Sequence, residues 1–232
     1  MTDHSLLHNK FSFSNQDLIQ GLPKSIVTIL EANTKTIQFL AGTTIFQEGE
    51  SPTGIFRVKK GKVKKFTTTN FGTQHLFYIC REDEYLGYHA LLSEELYADT
   101  ATALTASEIE YIPKKDFLKA IDASHLLSQR LLRSLSHEFG VFINATKLLA
   151  KYTVRERSAL NLLILEDKFR LASEVEVEIK INRDDLSNMV GTAKESLVRM
   201  LKDFKDEKLI STNGRSIFIK DYEGLLKVSN SV

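Results

Sequence analysis

Residues 181–220 read INRDDLSNMVGTAKESLVRMLKDFKDEKLISTNGRSIFIK, and this stretch decides the fold of the C-terminal part of the chain. Asn182 is a good helix N-cap with Asp185 three residues on, opening a short helix through Met189. Gly191 allows a left-handed turn before a second helix. Thr192 and Glu195 have the Thr-x-x-Glu spacing of a capping box for that helix. Small Ser187 and apolar Leu186, Val190, Leu197, Met200 and Leu201 are spaced so that two short helices pack at a steep angle. Residues 209–212 and 216–219 then flank Asn213-Gly214, a type I′ hairpin signal. Helix, turn, helix and hairpin in that order predict a winged helix-turn-helix.

The chemistry of such a unit lies on the exposed N-terminal half of its second helix. Thr192, Lys194, Glu195, Ser196 and Arg199 project there, where a recognition helix meets base edges. Arginine pairs bidentately with guanine O6 and N7, and a carboxylate accepts from cytosine N4. Glu195 can also serve only as a capping residue. Lys202 and Lys205 suit either phosphate contact or a plain solvated face, and Arg215 sits on the wing. Residues 180–220 carry nine Lys/Arg against six Asp/Glu, a local basic surplus in a chain whose formal net charge is only +1. DNA binding must therefore come from a local surface, not from overall charge.

Upstream, a helix is predicted at about 154–169, after a longer one over about 124–150 that Ser124 can cap. A polar break at 171–175 leads into the winged unit. The long helix holds no proline, and Gly140 is its one weak point. At 1.5 Å per residue it is roughly 40 Å long, more than a domain of this size needs for its own core. Leu131, Leu135, Phe139, Phe142, Ala145 and Leu149 step by three or four along one stripe, while Leu127, Val141 and Leu148 lie off it. The stripe fits a seam between two long helices of a dimer; the alternative is a plain core helix.

From Thr36 to about Ile112 the sequence reads as short β-runs broken by turns, with glycines at 42, 49, 54, 61, 72 and 87 where tight turns fall. Such spacing predicts a sandwich, barrel or roll. The predicted fold class is therefore α+β. It comprises a jelly-roll-like β-roll with an N-terminal helical segment over 1–123, a long helix over 124–150, and a winged helix-turn-helix domain over 151–232.

Composition narrows the function further. An apolar content of 42% is ordinary for a globular chain. The single cysteine, Cys80, excludes an intrachain disulfide and multi-cysteine zinc or iron–sulfur sites. No run is long enough to span a bilayer, and residues 1–15 lack the apolar centre of a signal peptide, so a cytoplasmic protein is expected. No phosphate-binding P-loop, nucleophile elbow or His-carboxylate cluster points to an enzyme. His4, His8, His125 and His137 have no metal-site spacing. His75 and His89, in the β-domain, are the positions at which a haem ligand is conceivable, and a lone histidine there is more often structural.

Taken together, the chain resembles the Crp–Fnr family of bacterial regulators from about Thr36 to Tyr222. The resemblance rests on Ala41-Gly42, Phe46-Gln47-Glu48-Gly49 and Lys60-Gly61-Lys62-Val63 in the roll, on the long helix, on Thr153-Val154-Arg155-Glu156-Arg157, and on the winged unit. It implies a homodimer on a two-fold symmetric double-stranded operator, with RNA polymerase as a further partner and a small-molecule effector in the roll. The family's basic residue, Glu and Arg of the recognition helix fall on Lys194, Glu195 and Arg199; lysine in place of arginine keeps the charge and changes the geometry.

The sensor cassette departs from the family's cyclic-nucleotide binders. Their ribose-binding Glu falls on Tyr85 beside Leu86-Gly87, and their phosphate-binding Arg and Ser fall on Tyr97 and Ala98. Asp83, Glu84, Glu94, Glu95 and Asp99 make the surroundings acidic, which disfavours a cyclic phosphate. Tyr78, Tyr85, Tyr88 and Tyr97 can line a pocket for a less charged ligand or can be ordinary β-domain core. A second function class stays open: a signalling module of the same roll whose C-terminal domain binds a protein instead of DNA.

Overall fold

The computed structural model describes residues 10–170 and 176–230. The predicted break at 171–175, together with His4 and His8, lies outside the described residues. Contacts divide the chain into two compact units. One holds residues 14–67 and 77–139; the other holds residues 1–13, 68–76 and 140–232. The division falls inside the long helix, at Gly140, and not at its C-terminal end.

Over residues 24–123 a short helix, α1 (Lys24–Glu31), precedes the strands β1 (Lys35–Phe39), β2 (Thr44–Phe46), β3 (Gly54–Lys60), β4 (Val63–Thr68), β5 (Gln74–Cys80) and β6 (Tyr85–Leu86). Helix α2 (Tyr88–Ser93) and the strands β7 (Thr100–Ala103) and β8 (Ser107–Pro113) complete the roll, and α3 (Lys114–Ala123) follows. Two four-stranded sheets form, in the orders β1-β8-β3-β6 and β2-β7-β4-β5, which is the jelly-roll-like arrangement anticipated. The inward side chains build one core: Phe56, Val58 and Ile109 from the first sheet, Phe46, Val63, Cys80 and Ala101 from the second, with Leu86, Ala90 and Tyr97. Burial of these apolar surfaces is the main stabilising term. Gly61 turns β3 into β4 with a positive φ of 93°, and a Cβ there would lie 2.7 Å from the Ala106 carbonyl oxygen. Only glycine satisfies both conditions.

The long helix α4 (His125–Lys151) starts where Ser124 Oγ accepts the Leu127 N–H at 3.2 Å, the cap read from the sequence. Leu127, Leu131, Val141 and Leu148 are buried within the chain.

In the second unit α5 (Val154–Phe169) carries a full capping box: Thr153 accepts from the Glu156 N–H, and Glu156 accepts from the Thr153 N–H. It is buried over most of its length, through Ala159, Leu160, Leu162, Leu163 and Leu165. Strand β9 (Ile179–Lys180), helices α6 (Arg183–Val190) and α7 (Lys194–Asp206), strands β10 (Ile210–Asn213) and β11 (Ser216–Ile219) and helix α8 (Tyr222–Ser229) follow. The strands form a three-stranded sheet in the order β10-β11-β9, so β9 adds an edge strand the sequence reading lacked. Helix α8, also unforeseen, is capped by Asp221 and buries Leu225 and Leu226.

Two local expectations are corrected. The helix α7 begins at Lys194 with Ala193 as its N-cap and no side-chain cap, so Thr192 lies outside the helix and the Thr192–Glu195 capping box does not form. In the wing, Asn213 pairs with Ser216, which leaves Gly214 and Arg215 as the turn residues. Of these only Gly214 has a positive φ. That suits a type II′ turn with glycine first, not the type I′ turn predicted from Asn213-Gly214.

Candidate nucleic-acid interface

Helix α6 opens on Asn182, whose side-chain oxygen accepts the Asp185 N–H at 2.7 Å as predicted. It ends on Gly191, left-handed at φ 68°. A Cβ on Gly191 would lie 2.7 Å from Leu149 Cδ2, so the turn is closed against the end of α4. Arg157 on α5 fixes that turn from below: its guanidinium donates to the carbonyl oxygens of Val190 at 2.9 Å, Gly191 at 3.1 Å and Tyr152 at 2.7 Å. Burial holds its pKa below the ordinary arginine value. Arg183 does the same for the wing, donating to the Gly214 and Arg215 carbonyls. Sequence reasoning missed both arginines.

The helix α7 divides cleanly. Leu197, Leu201 and Phe204 are buried, with Leu186 and Val190 of α6 also buried. On the outer side Lys194, Glu195, Arg199 and Lys202 are exposed, while Ser196 and Thr192 are half-buried. Arg215 is exposed at the wing tip and Lys205 further along the helix. Lys194 Nζ pairs with Asp184 of α6 at 2.8 Å, between two exposed side chains, a contact of small energetic weight. Val198, which the sequence reading passed over, is also exposed on this side, where an apolar side chain suits a thymine methyl. With no side-chain cap, the first backbone N–H groups of α7 remain available to a phosphate or a base edge.

The candidate effector residues fall in two places, with Leu86, Gly87 and Tyr97 packed together in the core of the roll. Tyr97 is buried, stacked on Phe46 with ring centroids 4.0 Å apart. Tyr85 is buried with its backbone held by both ends of the Asn15 amide, and the Arg57 guanidinium lies over its ring at 5.9 Å. Leu86 is core, Gly87 is buried, and Ala98 is exposed. Tyr78 and Tyr88 face a different place, a polar cluster that includes Glu138 of α4; the Tyr88 hydroxyl donates to Glu138 at 2.9 Å. His75 hydrogen-bonds the Asn188 backbone, and His89 Nε2 lies 3.9 Å from Asp99 Oδ1. Among the described residues no group of three or more His, Cys, Asp or Glu is arranged to hold a metal ion.

The helix stripe is rotated relative to its expected position. Leu131 is only 3% exposed and belongs to the chain's own core, so it cannot line a seam with a second copy. Leu135 is half-buried. Phe139 at 67% exposure, Phe142 and Leu149 are open as expected, and Leu132 at 65% and Ile143 join them. Leu131 and Leu132 are adjacent leucines, and periodicity alone does not say which one faces inward.

A roll of two sheets, a long helix and a winged helix-turn-helix with Lys194, Arg199 and Lys202 on its outer face define a DNA-binding regulator of the helix-turn-helix class. Comparison with known proteins agrees. The cyclic nucleotide-binding domain family matches residues 36–124, and the Crp-like helix-turn-helix domain family matches residues 156–228. The transcriptional activator protein FnrA of Stutzerimonas stutzeri is 29% identical over 189 residues, covering 79% of this chain and 76% of that protein. A CRP-like cAMP-activated global transcriptional regulator of Mycobacterium tuberculosis is 24% identical over 212 residues, 90% of this chain and 95% of that one. In three dimensions the fold is similar to FixK2 of Bradyrhizobium japonicum, with a TM-score of 0.76 at 17% identity over 84% of this chain and 96% of that one. The chain belongs to the Crp–Fnr family of transcription regulators.

Proposed function

We propose that the protein works as a homodimer that reads a two-fold symmetric operator through α7 and is gated by its roll in response to a signal other than a cyclic nucleotide. The observation that carries the reading is the division of α7: an apolar side locked into the unit, and an outer side bearing Lys194, Glu195, Val198, Arg199 and Lys202. Arg199 reads a guanine edge, Glu195 and Ser196 neighbouring bases, and Lys202 and Arg215 the phosphates. The apolar side of α4 formed by Leu132, Phe139, Phe142, Ile143 and Leu149 supports dimerisation, because a stripe of large apolar groups facing water marks an interaction surface. Two copies place two recognition helices on half-sites about one DNA turn apart. In this reading the protein is a cytoplasmic, non-catalytic regulator that acts on RNA polymerase from its bound site.

Tyr97 and Ala98 supply no cation for a phosphate, and Tyr97 is committed to the core. A cyclic phosphate there has no guanidinium to offset its desolvation. Calorimetry is expected to show no binding of cyclic AMP or cyclic GMP; micromolar affinity coupled to tighter operator binding would overturn this part.

Base readout is tested by substitution. Arg199→Ala is expected to cost about 1–3 kcal/mol on the specific site and to flatten preference at one base position per half-site. Lys202→Ala is expected to weaken binding evenly across sequences. An Arg199→Ala profile unchanged across a randomised operator library contradicts the assignment.

A further inference from the structure

A buried ion pair lies inside the roll, away from the DNA-binding face. Lys65 on β4, 5% exposed, pairs with Asp99 just before β7, 6% exposed, at 2.9 Å. The Tyr78 ring lies under the same ammonium at 5.7 Å. Asp99 Oδ1 is buried and has no hydrogen-bond partner among the described residues. His89 Nε2 on α2 stands 3.9 Å from it. On the other side of the cluster the Tyr88 hydroxyl donates to Glu138 of α4, lies 3.4 Å from Ser134 Oγ of the same helix, and accepts from Asn15 Nδ2. Burial alone would lower the Lys65 pKa; Asp99 and then Glu138 outweigh it and hold the ammonium charged.

This cluster is not what fold stability asks for. A buried ion pair is at best about neutral against apolar side chains of the same volume, because both charges lose their water. Its position is more informative than its energy. It joins β4, β5, α2 and the start of β7 to α4, the helix that carries the exposed apolar side and runs on into the winged unit. The polar groups that a ligand at this place would need are already engaged with one another, apart from Asp99 Oδ1.

We infer that Lys65 and Asp99 are positioning residues: a built-in ionic strut that sets α4 against the roll through Glu138, so that the DNA-binding form is reached with no small molecule inside the roll. The inference rests on the reading of the chain as a DNA-binding regulator, and it goes further by giving side chains of the protein the place of an activating effector, so that the signal gating the roll acts on this strut and not as a ligand needed for DNA binding.

The test uses the full chain. Wild-type protein is unfolded in guanidinium, dialysed free of small molecules and refolded; its operator Kd is expected to stay within twofold of the untreated protein. The double variant Lys65→Met/Asp99→Leu is expected to melt at or above the wild-type temperature, yet to bind operator at least tenfold more weakly. Its α4 amides over 127–141 are expected to exchange hydrogen faster. Glu138→Gln, which keeps an acceptor for Tyr88 and removes the charge, is expected to weaken operator binding several-fold and serves if the double variant does not fold. Wild-type Kd and exchange in these variants would overturn the strut. So would stripped protein that regains binding only when a low-mass cell fraction is added. If wild-type protein selects no DNA sequence at all, the DNA-binding reading fails, and the exchange comparison alone then decides the strut.

Discussion

At the scale of single residues, Arg157 shows why part of the site stays silent in the sequence. Its three partners are backbone carbonyls, two of them more than thirty residues away, and no spacing or residue type announces such a bond. Asn182 was legible because capping is a local rule, and Thr192 misled because two starts for α7 satisfy nearly the same rule. Arg157→Ala is expected to cost about 1.5–3 kcal/mol by stranding those carbonyls, and to weaken operator binding by loosening the turn; chemical unfolding and operator titration check both. His89 gives a pH prediction. Burial, then the charge of Lys65, lower its pKa below the ordinary 6.5, with Asp99 and Glu138 opposing. The unfolded chain therefore takes up a proton that the folded chain refuses. The penalty is absent above about pH 6.5 and grows as the pH falls towards the lowered folded value. His75, lowered mainly by burial, acts in the same direction. Melting temperature is expected to drop from pH 7 to pH 5, and less steeply in His89→Gln; equal slopes would refute the contribution of His89.

At the scale of elements, the long helix was foreseen to within a residue or two at each end, and its two apolar sides were foreseen as well. What failed was the assignment of Leu131, because an α-helix with apolar residues on two sides leaves its rotation to tertiary packing. The structure turns this into a contrast. Leu131→Ala is expected to destabilise the chain by about 2–5 kcal/mol through a core cavity, with the association state unchanged in sedimentation. Phe139→Glu is expected to leave the fold intact and shift the protein towards monomer, since the seam would bury an unpaired carboxylate in each copy. An intact Phe139→Glu dimer would place the interface elsewhere. The wing shows the limit of turn rules: Asn213-Gly214 marked the hairpin correctly, but a shift of one residue in pairing changed the turn type.

At the scale of the whole molecule, a near-neutral chain conceals a basic surplus in residues 180–220, and the fold places Lys194, Arg199 and Lys202 of that stretch on the outer side of one helix. The roll, the long helix and the winged unit were legible because each has its own period: alternation with glycine turns, a sustained helical stripe, and paired short helices before a hairpin. The interior of the roll was not, because Lys65, Asp99 and Glu138 come from three distant segments and each alone reads as a surface charge. Sequence-specific DNA binding by a dimer is open to one decisive measurement: selection of binding sites from a random duplex library, followed by titration of the selected site at several salt concentrations. A two-fold symmetric consensus is expected, with half-site centres about 10–10.5 base pairs apart, and log K falling linearly with log salt. Failure to enrich any sequence, or an affinity insensitive to salt, would contradict it.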